Sequence, residues 1–128
     1  MSYYFEKTLV CDFDEAVDRT TAALKTAGFG IITEINVTDT FKTKLGANFR
    51  NYRILGACNP LLAYEALLTE CKAGTMLPCN VVVQEAGVGK MEVAAIDPVA
   101  SMQAIDNPKL LTLAEKVRAA LKNVIVSL

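Results

Sequence analysis

Three dipeptides in which asparagine or aspartate precedes proline, Asn59-Pro60, Asp97-Pro98 and Asn107-Pro108, punctuate this chain. Proline offers no N–H to a β-ladder but is harmless in the first turn of a helix. An asparagine just before it accepts from the free N–H groups of that turn. Asn59-Pro60 and Asn107-Pro108 therefore predict helix starts, and Asp97-Pro98 predicts the end of a strand. Everything else must fit between these marks.

The patterning supplies the rest. Residues Tyr3 to Cys11 alternate and carry Tyr, Phe, Thr and Val, which predicts a first strand. Asp12 with Glu15 forms a capping box for a helix that runs to Gly28, with Val17, Thr20, Leu24 and Ala27 as its core stripe. "FGIITEINV" predicts a second strand with Phe29, Ile31, Thr33, Ile35 and Val37 on one face. One or two helical turns follow from Thr38 to Gly46, and "RNYRILGAC" is a third strand ending at Cys58. The helix from Pro60 to about Lys72 is apolar on nearly every side, which implies cover on more than one face and hence a subunit partner. "MLPCNVVVQEAG" and "VGKMEVAAID" make a hairpin turning near Ala86-Gly87. The last helix runs from Asn107 to about Asn123, with Leu110, Leu113, Ala114, Val117, Leu121 and Val124 facing inward. Helices do not alternate regularly with strands, so the fold class is α+β: a largely antiparallel sheet with helices packed on it.

Composition removes several kinds of chemistry. At 128 residues the chain has the size of a single domain. With no histidine, Ser-His-Asp and Cys-His catalysis and imidazole metal ligands are excluded. The four cysteines, Cys11, Cys58, Cys71 and Cys79, lie 47, 13 and 8 positions apart without a C-x-x-C pair, so neither zinc nor another cofactor is expected. "GVGK" at 87–90 lacks the remainder of a P-loop and reads as a turn. Acids near the N-terminus argue against a signal peptide, and the longest uncharged stretch, Ile54 to Tyr64, is too short to span a bilayer. A cytoplasmic protein with free thiols and no membrane partner is expected.

The candidate site centres on two Cys-Asn pairs, Cys58-Asn59 and Cys79-Asn80, each beside a proline. Cys58 precedes a helix N-terminus, whose dipole favours a thiolate, and Cys79 could resolve the product, which makes a redox or sulfur-handling site. On that reading Cys58 is the most reactive of the four thiols, with Cys79 next. The alternative, which is favoured, is that both are small apolar residues in a tight core. Asn59 reads as a helix cap, whereas Asn80, inside a strand, is as readily a ligand contact. From Thr40 to Tyr64 there are four cations and no acid. Lys44 and Arg53 could hold an anionic metabolite with the help of the helix N-terminus. Interleaved Phe41, Phe49 and Tyr52 superficially suit single-stranded nucleic acid, but net charge is −1, and nucleic acid is not expected.

The segments "FGIITEINV", "FKTKLGANFRNYRILGACNPLLAYEAL", "LPCNVVV" and the closing "DP" together resemble the bacterial and archaeal family called domain of unknown function 302. Its pattern falls on Leu45, Gly46, Gly56, Cys58, Asn59, Pro60, Leu77, Pro78, Cys79 and Pro98. The resemblance implies a β-α-β(2)-(α)-β(2)-α unit like half of the TATA-binding protein, assembled as a homodimer, and it implies no activity. The expectation is thus a homodimeric module binding a small, anionic ligand through Cys58, Asn59, Cys79, Asn80, Lys44 and Arg53. A thiol-dependent redox protein is the alternative, and a structural or partner-binding role comes third.

Overall fold

The computed structural model describes residues 2–128. Five strands, β1 (Tyr4–Val10), β2 (Gly30–Asn36), β3 (Tyr52–Cys58), β4 (Cys79–Gly87) and β5 (Lys90–Ile96), form one sheet in the order β1-β5-β4-β3-β2. Every neighbouring pair is antiparallel. The helices are α1 (Phe13–Thr26), α2 (Val37–Leu45), α3 (Pro60–Thr69), α4 (Pro98–Ser101) and α5 (Pro108–Ser127), with a 3-10 turn at Cys71–Met76. The expected α+β class, with helices packed on an antiparallel sheet, is what the chain adopts.

Side chains alternate across each strand, and on β3, β4 and β5 one alternation faces the core. Leu55, Ala57, Cys79, Val81, Val83, Met91, Val93 and Ala95 pack against Ala16, Val17 and Leu24 of α1 and Leu121, Val124 and Ile125 of α5. A smaller core joins Ala66 of α3, Ala73, Met102 and Leu110 and Ala114 of α5. Burying a valine contributes about 1.5–3 kcal/mol, against about 1 kcal/mol for a helix cap. The core therefore stabilises the sheet, and the caps decide where helices start. Asp12 Oδ1 accepts from the Glu15 N–H at 2.8 Å, Asn59 Oδ1 from Leu62 at 3.2 Å, and Asn107 Oδ1 from Lys109 at 3.1 Å.

Four local features differ from the sequence expectation. A bulge at Ile32 breaks the alternation of β2. Ile31 opposes Ala57 and packs towards the helices, whereas Thr33 and Ile35 oppose Gly56 and Ile54 on the other face. The extra residue inverts which side chains share a face. Helix α3 stops at Thr69, because the chain tightens into the 3-10 turn that buries Ala73. The hairpin turns later than Ala86-Gly87, at Val88-Gly89, where Gly89 takes φ +68°. Asp97 does more than end a strand: it caps the short α4, and its carboxylate also accepts from Arg118 Nε at 3.0 Å.

Gly56 is the most crowded glycine among the described residues. A Cβ there would lie 2.0 Å from Thr33 Oγ1 and 2.7 Å from Cγ of the Pro78 ring. The threonine can rotate away but the ring cannot. Gly56→Ala should therefore destabilise the fold by about 1–3 kcal/mol, the usual cost of overpacking, read as a lower denaturation midpoint at unchanged slope. An unchanged midpoint would show that Pro78 is free to move.

Candidate functional site

Where β3 ends and β4 begins, α3 lies over a small cavity of about 40 Å³. Its walls are Phe29, Ala57, Cys58 and Cys79 on the sheet side, Leu62, Ala63 and Ala66 of α3, and Leu113 and Val117 of α5. Antiparallel pairing explains the convergence. Cys79 opposes Ala57 on β3, and Cys58, the last residue of that strand where the chain turns into α3, borders the same cavity. Asn59 also borders the cavity, and its side-chain oxygen is committed to capping α3. Such a space takes a water or two, small beside the roughly 150 Å³ apolar cavity that admits benzene.

The two thiols are not equivalent. Cys79 is buried, whereas Cys58 is half-buried. Burial first, and the neighbouring Cys58 second, push the Cys79 thiol up to about 11. At neutral pH it is therefore protonated, unlike the activated thiols that act as nucleophiles. Cys71 is the exposed cysteine of the four. Cys11 lies away from the cavity, at the end of β1, and its thiol is also raised, mainly by burial.

The remaining candidates are dispersed. Asn80 follows Cys79 on the same strand and so points to the opposite face of the sheet, where it is exposed. Arg53 donates from Nη1 to Glu34 Oε1 at 3.1 Å and lies 5.4 Å from the Phe13 ring centre, so its charge is already paired. Lys44 is exposed in the last turn of α2, where a cation complements the helix dipole. Neither cation lines the cavity, whose walls are almost wholly apolar. The interleaved aromatic and basic residues engage one another: Phe41 packs edge-on against Phe49 at 5.2 Å, and the Arg50 guanidinium sits 4.4 Å from the Phe49 ring.

Two surfaces stand out among the described residues. The outer side of α3 exposes Leu61, Tyr64, Leu67 and Leu68. The sheet face opposite α1 and α5 forms a groove between Tyr3, Tyr4 and Tyr52, with Asn80, Val82, Gln84, Glu92 and Ala94 along it. Sequence reasoning missed this groove, although alternate positions of β4 and β5 carry its residues. Among the described residues no helix is long and apolar enough to cross a membrane.

Five antiparallel strands in this order, with helices packed on one face, define an α+β fold shared with a known family. The model of the family described as Domain of unknown function DUF302 matches residues 5–128, and the chain belongs to that family. Among solved structures it is similar to an uncharacterised conserved DUF302 protein from Bacillus stearothermophilus, with a TM-score of 0.90, 24% identity and 98% of each chain covered. At that identity the likeness shows the fold. Among curated proteins none matches the chain.

The raised Cys79 thiol gives the site a pH signature. The folded chain holds this proton more tightly than the unfolded chain does. Its contribution is present in full below the ordinary thiol value of 9.0 and is lost as pH rises towards about 11. Two units correspond to about 2–3 kcal/mol. Stability measured from pH 8 to 11 should fall by roughly that much more in the wild type than in Cys79→Ala. Parallel curves would mean that the thiol is not held in an apolar site.

Proposed function

We propose that this chain is a non-catalytic, homodimeric binding module in which α3 is bifunctional: its outer side meets the second subunit and its inner side roofs the cavity at Cys58 and Cys79. The observation that carries the reading is the solvation of α3. Leu61 is 66% exposed, Tyr64 63%, Leu67 42% and Leu68 70%, on a helix whose one buried residue is Ala66. So apolar a helix gains little from water. Covering the exposed fraction of these four side chains on each of two copies, about five full side chains in all, would contribute about 7–14 kcal/mol. That is of the size needed to offset the roughly 4–15 kcal/mol cost of association.

The cavity suits an uncharged group of only a few atoms rather than the anion that Lys44 and Arg53 suggest, because it measures about 40 Å³ and its walls offer two thiols, one amide and otherwise carbon. The thiol-dependent reading has one observation in its favour, that Cys58 and Cys79 border the same cavity. Against it stands a Cys79 thiol held near 11, which keeps the resolving partner protonated.

Light scattering at low micromolar concentration should give twice the 13.8 kDa chain mass. The double variant Leu61→Glu, Leu68→Glu should give the single-chain mass with its helical circular dichroism intact. A wild-type monomer would overturn the proposal.

A further inference from the structure

We propose that the uncovered face of the sheet is a binding site for a small organic ammonium ion, an amine carried on a ring or short hydrocarbon body. The strand register arranges this face in three rows. The middle row is apolar over four strands, where Ile35 opposes Ile54, Ile54 opposes Val82 and Val82 opposes Ala94, and it ends on β1 at Glu6, opposite Ala94. Beside it on one side run Tyr4 with Ile96, and Asn80 with Gly56; on the other run Glu92 with Gln84, and Gln84 with Tyr52. The groove over these rows has a volume of about 270 Å³, below the roughly 300–1,000 Å³ of pockets for drug-sized ligands, so the ligand body must be small.

Charge decides the ligand class. Glu92 is the one charged residue that lines the groove among the described residues. Gln84 Nε2 donates to Glu92 Oε1 at 3.0 Å, and Arg50 Nε donates to Gln84 Oε1 at 2.8 Å. This relay fixes the carboxylate while Glu92 Oε2 takes no protein donor among the described residues. Arg50 itself is held outside the groove, over Phe49 and 5.8 Å from the Tyr52 ring centre, so it does not neutralise Glu92 by direct contact. Glu6 and Lys90 share this face at its margins and do not line the groove. At the β1 end Tyr3 and Tyr4 meet edge to face at 4.9 Å. Tyr4 lies across the apolar row from Glu92, so the half-buried carboxylate attracts the ammonium and repels an anion, while the tyrosine rings flank the ligand body at the other side of the groove. The apolar middle row accepts the body, and Asn80 can reach a polar group at its far end.

The test uses two probes with similar bodies and opposite charge, phenethylamine and 3-phenylpropionate, titrated at neutral pH into the isotopically labelled protein and followed by NMR. Phenethylamine should shift the Val82 and Ala94 methyl signals and the Asn80 and Gln84 side-chain amides to saturation. The carboxylate should bind about ten-fold more weakly or less, and Glu92→Gln should weaken the amine about ten-fold, the effect of losing a charge-assisted hydrogen bond. The proposal is overturned if the carboxylate binds as well as the amine, if Glu92→Gln leaves amine affinity unchanged, or if neither probe saturates. Groove signals that move only with protein concentration would assign the face to a second copy instead and overturn it equally. The probe contrast in the wild type stands even if the variant misfolds.

Discussion

Burial of Val81, Val83, Val93 and Leu55 beneath α1 and α5 is the interaction on which the rest of the structure depends. Both long helices cross the same face of the sheet, so only alternate residues of each strand join the core. Strand propensity then has to be satisfied by side chains that differ by face: valine and alanine inward, and asparagine, glutamine and glutamate interleaved with small apolar residues outward. The cavity and the groove are both consequences. The cavity lies where the covered face runs out under the shorter α3, and the groove is the face that no helix reaches.

That arrangement separates the two thiols from the charged groups that precede them in sequence. Arg53 and Cys58 sit on one strand, five residues apart, which is roughly 17 Å of extended chain. Arg53 then pairs with Glu34 across the sheet. Nothing brings the guanidinium back to the helix start at Asn59. The outcome is an apolar cavity with two thiols of different burial, and a polar, carboxylate-bearing groove on the other side. These are chemically opposite sites on one sheet.

Much of this was legible in the sequence because caps act locally. Asp12, Asn59 and Asn107 each bond the first turn that follows them, so the helix starts fall where the residues predict. The apolar character of Leu61 to Cys71 also carried over, as the solvated outer side of α3. What was not legible needed long-range information. The bulge at Ile32 is set by pairing with β3, and it moved Thr33 and Ile35 to the face opposite the one their spacing predicted. Asn80 is a different case: adjacent strand residues point to opposite faces, so its separation from Cys79 followed once β4 was assigned. The relay Arg50–Gln84–Glu92 joins the loop before β3 to β4 and β5, and no local pattern announces it.

The family assignment fixes the fold and leaves the surface to define the function, and the central claim is that α3 is covered in solution. Hydroxyl-radical footprinting of the native protein tests it most directly, with Val88, fully exposed at the hairpin, as internal reference. The account predicts that Leu61, Tyr64 and Leu68 are oxidised far more slowly than their exposure in a single chain requires, and that Leu61→Glu restores oxidation at Tyr64 and Leu68. Oxidation of Tyr64 and Leu68 in the wild type at the full rate expected from that exposure would contradict it.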